Sequence, residues 1–291
     1  MTHDIAVIGL GAMGAALARA QMAAGHRIII WNRSADKAEA LRRDGASRAE
    51  TAGDAVLSAD VALICVDTNT SAVAALGDVF GAGRLQDKTV VQLSTTTPGE
   101  ARDFAGKLRG AGALALDGAI MCYPDSIGPG NDAPIMVGGD PDGYAKAEPY
   151  LRNLSRNLIP LGDNIAAAAA ALDLGLLTTS VALYAGVAHA ARLCEAEGAD
   201  VDLLGKLCAH GPRAPERFEI IARNAFALNA LHDGGSLDVW ADVVDRIRDQ
   251  AQAAGINADL PEFLSRLYRR AADAGHGAED VAALIKVLRP T

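Results

Sequence analysis

Up to about residue 162 the chain alternates short apolar runs, rich in β-branched residues, with longer stretches in which apolar positions recur every three to four residues. The short runs fall at 5–8, 27–31, 61–66, 89–93, 114–119 and 135–137, and the helical patterns between them include 12–24, 35–43, 71–80 and 98–109. Strands alternating with helices predict an α/β fold with a parallel, doubly wound sheet, because a parallel strand pair needs a long crossover. Past Gly162 the strand pattern stops. From 165 to about 197 there is no proline, and the only interior glycines are Gly175 and Gly186; Asp163 or Asn164 is available as N-cap and Gly198 as the stop. At about 1.5 Å per residue such a helix is about 50 Å long, more than one small domain can cover. Further helices are predicted at 201–208, 214–231, 236–254, 260–274 and 278–288. The expected organisation is an N-terminal Rossmann-type domain, 1–162, and an all-α C-terminal domain, 163–291, opened by the long helix. No internal repeat is present, and the alanine run 166–171 reflects helix propensity.

Composition narrows the class. Twenty-seven Lys plus Arg against thirty-six Asp plus Glu give a formal charge of −9 over 291 residues, with the cations scattered among acids. That argues against a nucleic-acid partner, which requires clustered cations. Half of the residues are hydrophobic (50%), which argues against disorder. No stretch approaches about 18 uncharged apolar residues, and no basic region precedes the first apolar run, so the expectation is a soluble cytoplasmic protein without membrane association. Cys65, Cys122, Cys194 and Cys208 show no CxxC pairing and no histidine at ligand spacing, which predicts reduced thiols and no metal site.

The first motif with chemical content is Gly9-Leu10-Gly11-Ala12-Met13-Gly14. A bare GxGxxG is weak, but this one directly follows the run 5–8 and opens the helical pattern 12–24. In that context the first glycine makes the turn, the second admits a pyrophosphate, the third allows close helix–strand packing, and the helix N-terminus faces the anion. The alternative is a glycine turn without function. The end of the second strand indicates which dinucleotide is bound. An NAD enzyme places an acid there, whereas this chain reads Trp31-Asn32-Arg33-Ser34, with Lys37 one turn further on. Arg33 offers a fork of donors, Ser34 a hydroxyl and Asn32 an uncharged amide, a set that suits the 2′-phosphate of NADP. The alternative is a solvated turn in which Ser34 caps the following helix.

With these residues in view, the segment IAVIGLGAMGAALARAQMAAGHRIIIWNRSADKAEALRRDGA resembles the cofactor domain of the β-hydroxyacid dehydrogenase superfamily. The combination of WNRS with DGAIMCYPDSIG at 117–128, LDLGLL at 172–177, VAHAARL at 187–193 and GHGAEDVAALI at 275–285 is similar to the imine reductases and reductive aminases. The resemblance implies NADPH-dependent reduction of a C=N bond in a small-molecule imine. It also implies a domain-swapped homodimer whose active sites combine the cofactor domain of one subunit with the helical domain of the other. Val66 and Thr95 are placed with the cofactor on the same basis, Thr95 standing where relatives often keep an asparagine.

Hydroxyacid dehydrogenases of the superfamily carry a lysine near the start of the long helix, but no lysine occurs between Lys146 and Lys206. The resemblance makes Asp173 the catalytic candidate instead. On spacing alone it lies on an exposed stripe or faces a cleft, and in a cleft desolvation would raise its pKa and fit it to give a proton. Leu177, Ser180, Val181 and Tyr184 share its helix face. Relatives carry a tyrosine two turns after the Asp, where this chain has Val181. Tyr123 and Trp240 are either substrate-lining or core aromatics, and His189 and His276 are read as helix-packing or capping residues. Three functional classes remain open at this point: an imine reductase, a carbonyl or hydroxyacid oxidoreductase using another acid, and a non-catalytic NADP-binding protein.

Overall fold

The structure, a computed structural model, describes residues 3–81, 83–163, 165–209 and 236–288. Eight strands, β1 (His3–Ile8), β2 (Ile28–Trp31), β3 (Ser47–Arg48), β4 (Ala59–Ile64), β5 (Thr89–Gln92), β6 (Leu114–Ile120), β7 (Ile135–Gly139) and β8 (Leu158–Pro160), form one sheet in the order β3-β2-β1-β4-β5-β6-β7-β8. Helices α1 (Ala12–Ala23), α2 (Asp36–Arg43), α3 (Ala52–Leu57), α4 (Asn69–Ala75), α5 (Pro98–Gly110) and α6 (Pro141–Leu151) connect them. Both faces are covered, as a mainly parallel sheet requires. Ala6, Ile8, Val90 and Ala115 lie in the apolar cluster of one face, and Ile5, Val7, Val91 and Leu116 in that of the other.

One pairing departs from the expected all-parallel sheet. β6 and β7 run antiparallel, with Gly118 opposite Val137. The segment between them, MCYPDSIGPGNDAP, has three prolines and only a single 3₁₀ turn at Pro124–Ser126, so no crossover helix returns the chain to the starting edge. The short strands β3 and β8 and the helices α3 and α6 were also not among the elements predicted.

A helix α7 (Ile165–Ala196) follows, then α8 (Val201–Ala209), α9 (Leu237–Ala253), α10 (Asp259–Ala271) and α11 (Leu284–Leu288). Gly198, at φ 68°, ends α7, its N–H bonded to the Glu195 carbonyl. The predicted helix 214–231 and the candidate N-cap Asn164 lie outside the described residues. Helix α10 passes into an irregular turn, Ala272–His276, instead of continuing to 274, because Gly275 adopts φ 90°. There Glu279 accepts from His276 Nδ1 at 2.7 Å and pairs with Lys286, so His276 serves local structure.

The chain divides into two compact units, Met1–Thr178 and Thr179–Thr291, so the first turns of α7 belong with the sheet. By length and composition α7 is also apolar enough over Ala168–Ala196 to cross a membrane, contrary to the expectation that no stretch would be.

Candidate active site

A cavity of about 920 Å³ opens where the chain leaves the carboxyl ends of β1, β2 and β4, and its walls include Gly9, Gly11, Arg33, Ser34 and Val66. The sheet order reverses between β1 and β4, and such a switch point is where open α/β sheets bind ligands. The three glycines have separable reasons. A Cβ on Gly9, which adopts φ 92°, would stand 2.1 Å from the Cys65 carbonyl oxygen, and one on Gly14 would stand 2.0 Å from that of Gly9. Both are demanded by the protein's own packing. A Cβ on Gly11 would meet nothing within 4 Å, so its bareness leaves room at the cavity wall.

The adjoining helix end suits an anion. Helices α3, α4 and α5 are capped by Thr51, Thr68 and Thr97, whereas α1 has Gly11 at its N-cap, no side-chain cap and no acid in its first turn. Its first N–H groups are left to a ligand, and the dipole favours negative charge there. Ala12 and Met13 also line the cavity, as does Cys65, whose thiol is pushed up to about 11 by burial and so carries no charge at neutral pH. The residues therefore fit a dinucleotide pyrophosphate.

Leu10 and Asn32 behave differently from their neighbours. Leu10 is buried, and its N–H donates to Asn32 Oδ1 at 2.8 Å, while Asn32 Nδ2 donates to the Ser34 carbonyl at 3.0 Å. Asn32 thus ties the glycine loop to the turn after β2 and aims that turn at the cavity. Arg33, Ser34 and Lys37 are exposed along its wall. Ser34 does not cap α2: the N-cap position is Ala35 and no side chain closes it. Asp67, which the sequence reading missed, lines the same cavity, and the Ser71 hydroxyl and the charge of Arg33 hold its carboxyl below the usual range.

A second cluster adjoins this wall. The Val66 N–H donates to Ser94 Oγ at 2.9 Å. The next residue, Thr95, donates its hydroxyl to the carboxyl of Asp173 on α7. Asp173 is 6% exposed, and burial raises its pKa, partly offset by the Thr95 hydrogen bond. Its burial rules out the exposed stripe. Leu177, Val181, Tyr123 and Trp240 are 37%, 60%, 71% and 37% exposed, so none is a core residue within the single chain. The Tyr184 side chain lies outside the described residues.

Sheet order, glycine loop and open helix end together define a dinucleotide-binding protein of the Rossmann type. The comparisons narrow this. Residues 4–162 match the NAD binding domain of 6-phosphogluconate dehydrogenase, and residues 166–290 match the C-terminal domain of NADPH-dependent reductive aminase-like proteins. The chain is 29% identical over 294 residues to the NADPH-dependent reductive aminase of Aspergillus oryzae, covering 99% of this chain and 98% of that one. Its fold is similar to the reductive aminase from Aspergillus terreus in complex with NADPH4, cyclohexanone and allyl amine, at TM-score 0.89, 30% identity and coverage of 99% and 100%. It is likewise similar to the imine reductase from Myxococcus stipitatus in complex with NADP+, at TM-score 0.89, 27% identity and coverage of 98% and 100%. The chain belongs to the reductive aminase and imine reductase family, within the hydroxyacid dehydrogenases.

Proposed function

We propose that the protein is an NADPH-dependent reductase that delivers hydride to the carbon of a C=N bond, converting an imine or iminium to an amine. The supporting observation is the run of contacts from the cavity wall at Val66, through Ser94 and Thr95, to the buried carboxyl of Asp173. It supports reading Asp173 as a proton-holding group that serves the nucleotide cavity. Bound NADPH supplies the hydride. The chain's residues supply the rest: the glycine loop and the α1 terminus hold the pyrophosphate, Arg33, Ser34 and Lys37 receive the 2′-phosphate, and Asp173 gives a proton to nitrogen or faces an iminium as an anion. Tyr123, Leu177, Val181 and Trp240 are read as substrate-lining, a role supported by their exposure in the single chain.

The same reading makes the protein a cytoplasmic homodimer. Leu172, Leu176, Leu177, Val181 and Leu183 of α7 are each more than a third exposed, and only 12% of its most apolar window is buried. An apolar surface of that kind on one helix calls for a cover, and a second copy supplies it. The cytoplasmic placement is supported by four cysteines that stand as free thiols.

The testing experiment follows NADPH oxidation with a panel of cyclic imines and, in parallel, a panel of keto acids. Turnover of the imines is expected. Turnover confined to keto acids would move the protein to the hydroxyacid class, and tight NADPH binding without turnover on either panel would make it a binding protein.

A further inference from the structure

A second carboxyl lies behind Asp173. Asp117 is in the interior of β6, 3% exposed, and its Oδ2 accepts the N–H of Ala170 at 3.2 Å. Ala170 is itself buried on the first turns of α7, and Asp173 follows three residues later on the same helix face. The sheet beneath is polar at this point. Gln92, which pairs with Asp117 across β5 and β6, is 2% exposed and its Nε2 has no hydrogen-bond partner; Thr96 Oγ1 is buried and likewise unpartnered. Among the described residues no cation acts on Asp117, and the charge that does is that of Asp173. Two carboxylates cannot both stay ionised in a buried site without a cation, so one of them keeps a proton.

We propose that Asp117 is a positioning residue for Asp173, the two buried carboxyls acting as a pair that holds one proton, with Asp117 fixing the turn of α7 that carries Asp173. The proposal rests on the imine-reductase reading for its catalytic consequence, although the pair itself does not. In turnover the pair's one proton passes from Asp117 by way of the Asp173 carboxyl to the imine nitrogen, whose new N–H bond is formed by the former C=N π electrons as hydride reaches carbon. Both carboxyls are then ionised, their repulsion is at its greatest, and the pair regains a proton from solvent. Burial and the neighbouring Asp173 charge push Asp117 up to about 7, against the hydrogen bond from Ala170, in keeping with a pair that changes charge near neutral pH.

The test joins carboxyl NMR with kinetics. Protein labelled with ¹³C at the aspartate carboxyls is titrated as wild type and as Asp173→Asn, and kcat on a cyclic imine is measured against pH for wild type and Asp117→Asn. Asn at 117 keeps an acceptor for the Ala170 N–H. The Asp117 carboxyl is expected to titrate at least about one pH unit lower in Asp173→Asn, as coupled sites do. The alkaline limb of kcat in Asp117→Asn is expected to move down by a similar interval, with NADPH affinity unchanged. A purely structural Asp117 would lower the melting temperature and leave the limb in place. An Asp117 titration unchanged in Asp173→Asn, or an unmoved limb, overturns the proposal. If Asp117→Asn does not fold, the NMR comparison decides alone. A coupled titration in a protein that reduces no imine would uphold the pair and sink the imine-reductase reading.

Discussion

The Thr95 hydroxyl, just beyond β5, donates to the carboxyl of Asp173 on α7. That bond couples the sheet edge facing the nucleotide cavity to the group assigned the proton. It also opposes burial: desolvation favours the neutral acid, while the Thr95 donor favours the anion. An acid balanced in this way can serve an imine before hydride transfer and an iminium during it.

Asp173→Asn and Asp173→Ala are therefore expected to bind NADPH normally and to lose at least about 10²-fold in turnover, or about 2.7 kcal/mol of transition-state stabilisation. Steady-state kinetics with fluorescence titration of NADPH separates the two effects. Near-normal turnover by Asp173→Asn on every imine the parent reduces would leave water or a protonated substrate as the proton source.

Arg33 lies on the cavity wall, where its charge adds to the Ser71 hydroxyl in lowering the pKa of Asp67. Losing one charge-assisted contact to a phosphate costs about 1.5–3 kcal/mol. Arg33→Ala should raise the KM for NADPH by at least about tenfold and leave that for NADH nearly unchanged. Equal effects on both cofactors would mean that Arg33 does not read the 2′-phosphate.

Much of this was legible because it is local. The glycine motif, the strand before it and the helix after it are contiguous, and their pattern places the loop without tertiary information. The absence of an acid after β2 is equally local. What escaped is what pairing decides. β3 and β8 are too short to carry a period of two, and the reversal at β7 follows from a missing helix rather than a present signal. Asp117 escaped although it left a trace: an aspartate between Leu116 and Gly118 in the otherwise apolar run LALDGAI is the kind of buried polar residue that needs a reason. Its partner, the Ala170 N–H, lies 53 positions away in the chain, a distance no window of sequence spans. The role of Ser34 was misread for a related reason, since its exclusion from the cap of α2 depends on where that helix starts.

The glycine loop offers a separation that a merely structural turn would not show. At Gly14 a Cβ would stand 2.0 Å from the Gly9 carbonyl oxygen, whereas at Gly11 it would meet nothing within 4 Å. Gly14→Ala should lower the melting temperature and lose NADPH binding with it. Gly11→Ala should melt with the parent yet bind NADPH more weakly, because its methyl occupies the space a phosphate would take. Unchanged affinity in Gly11→Ala would place the pyrophosphate elsewhere.

The exposed leucines of α7 predict assembly. Light scattering at working concentration should give about twice the 30.0 kDa chain mass. Leu176→Asp and Leu183→Asp should shift the mass toward that of one chain and abolish turnover together, because both residues are exposed in the isolated chain and a surface change there costs little by itself. A fully active monomer would rule out active sites that need two chains.

The final prediction concerns stability against pH. Asp117 has a folded pKa of about 7 against an ordinary 3.8, so between these values the folded chain holds a proton that the unfolded chain has released. Stability from this group is therefore fully present below about pH 4 and falls as pH rises toward 7, by up to about 1.4 kcal/mol per pH unit. The depressed carboxyls paired with arginine, Asp132 and Asp245, act in the opposite sense, but only below their ordinary 3.8. From pH 5 to 7 the Asp117 contribution therefore runs unopposed by them. The melting temperature should decline over that interval by about 2–4 °C per unit, and Asp117→Asn, which cannot ionise, should flatten the decline and melt higher than the parent at pH 8. Thermal unfolding followed by circular dichroism at half-unit pH steps measures both slopes. Parallel slopes in the two proteins would mean that Asp117 is already ionised at pH 5.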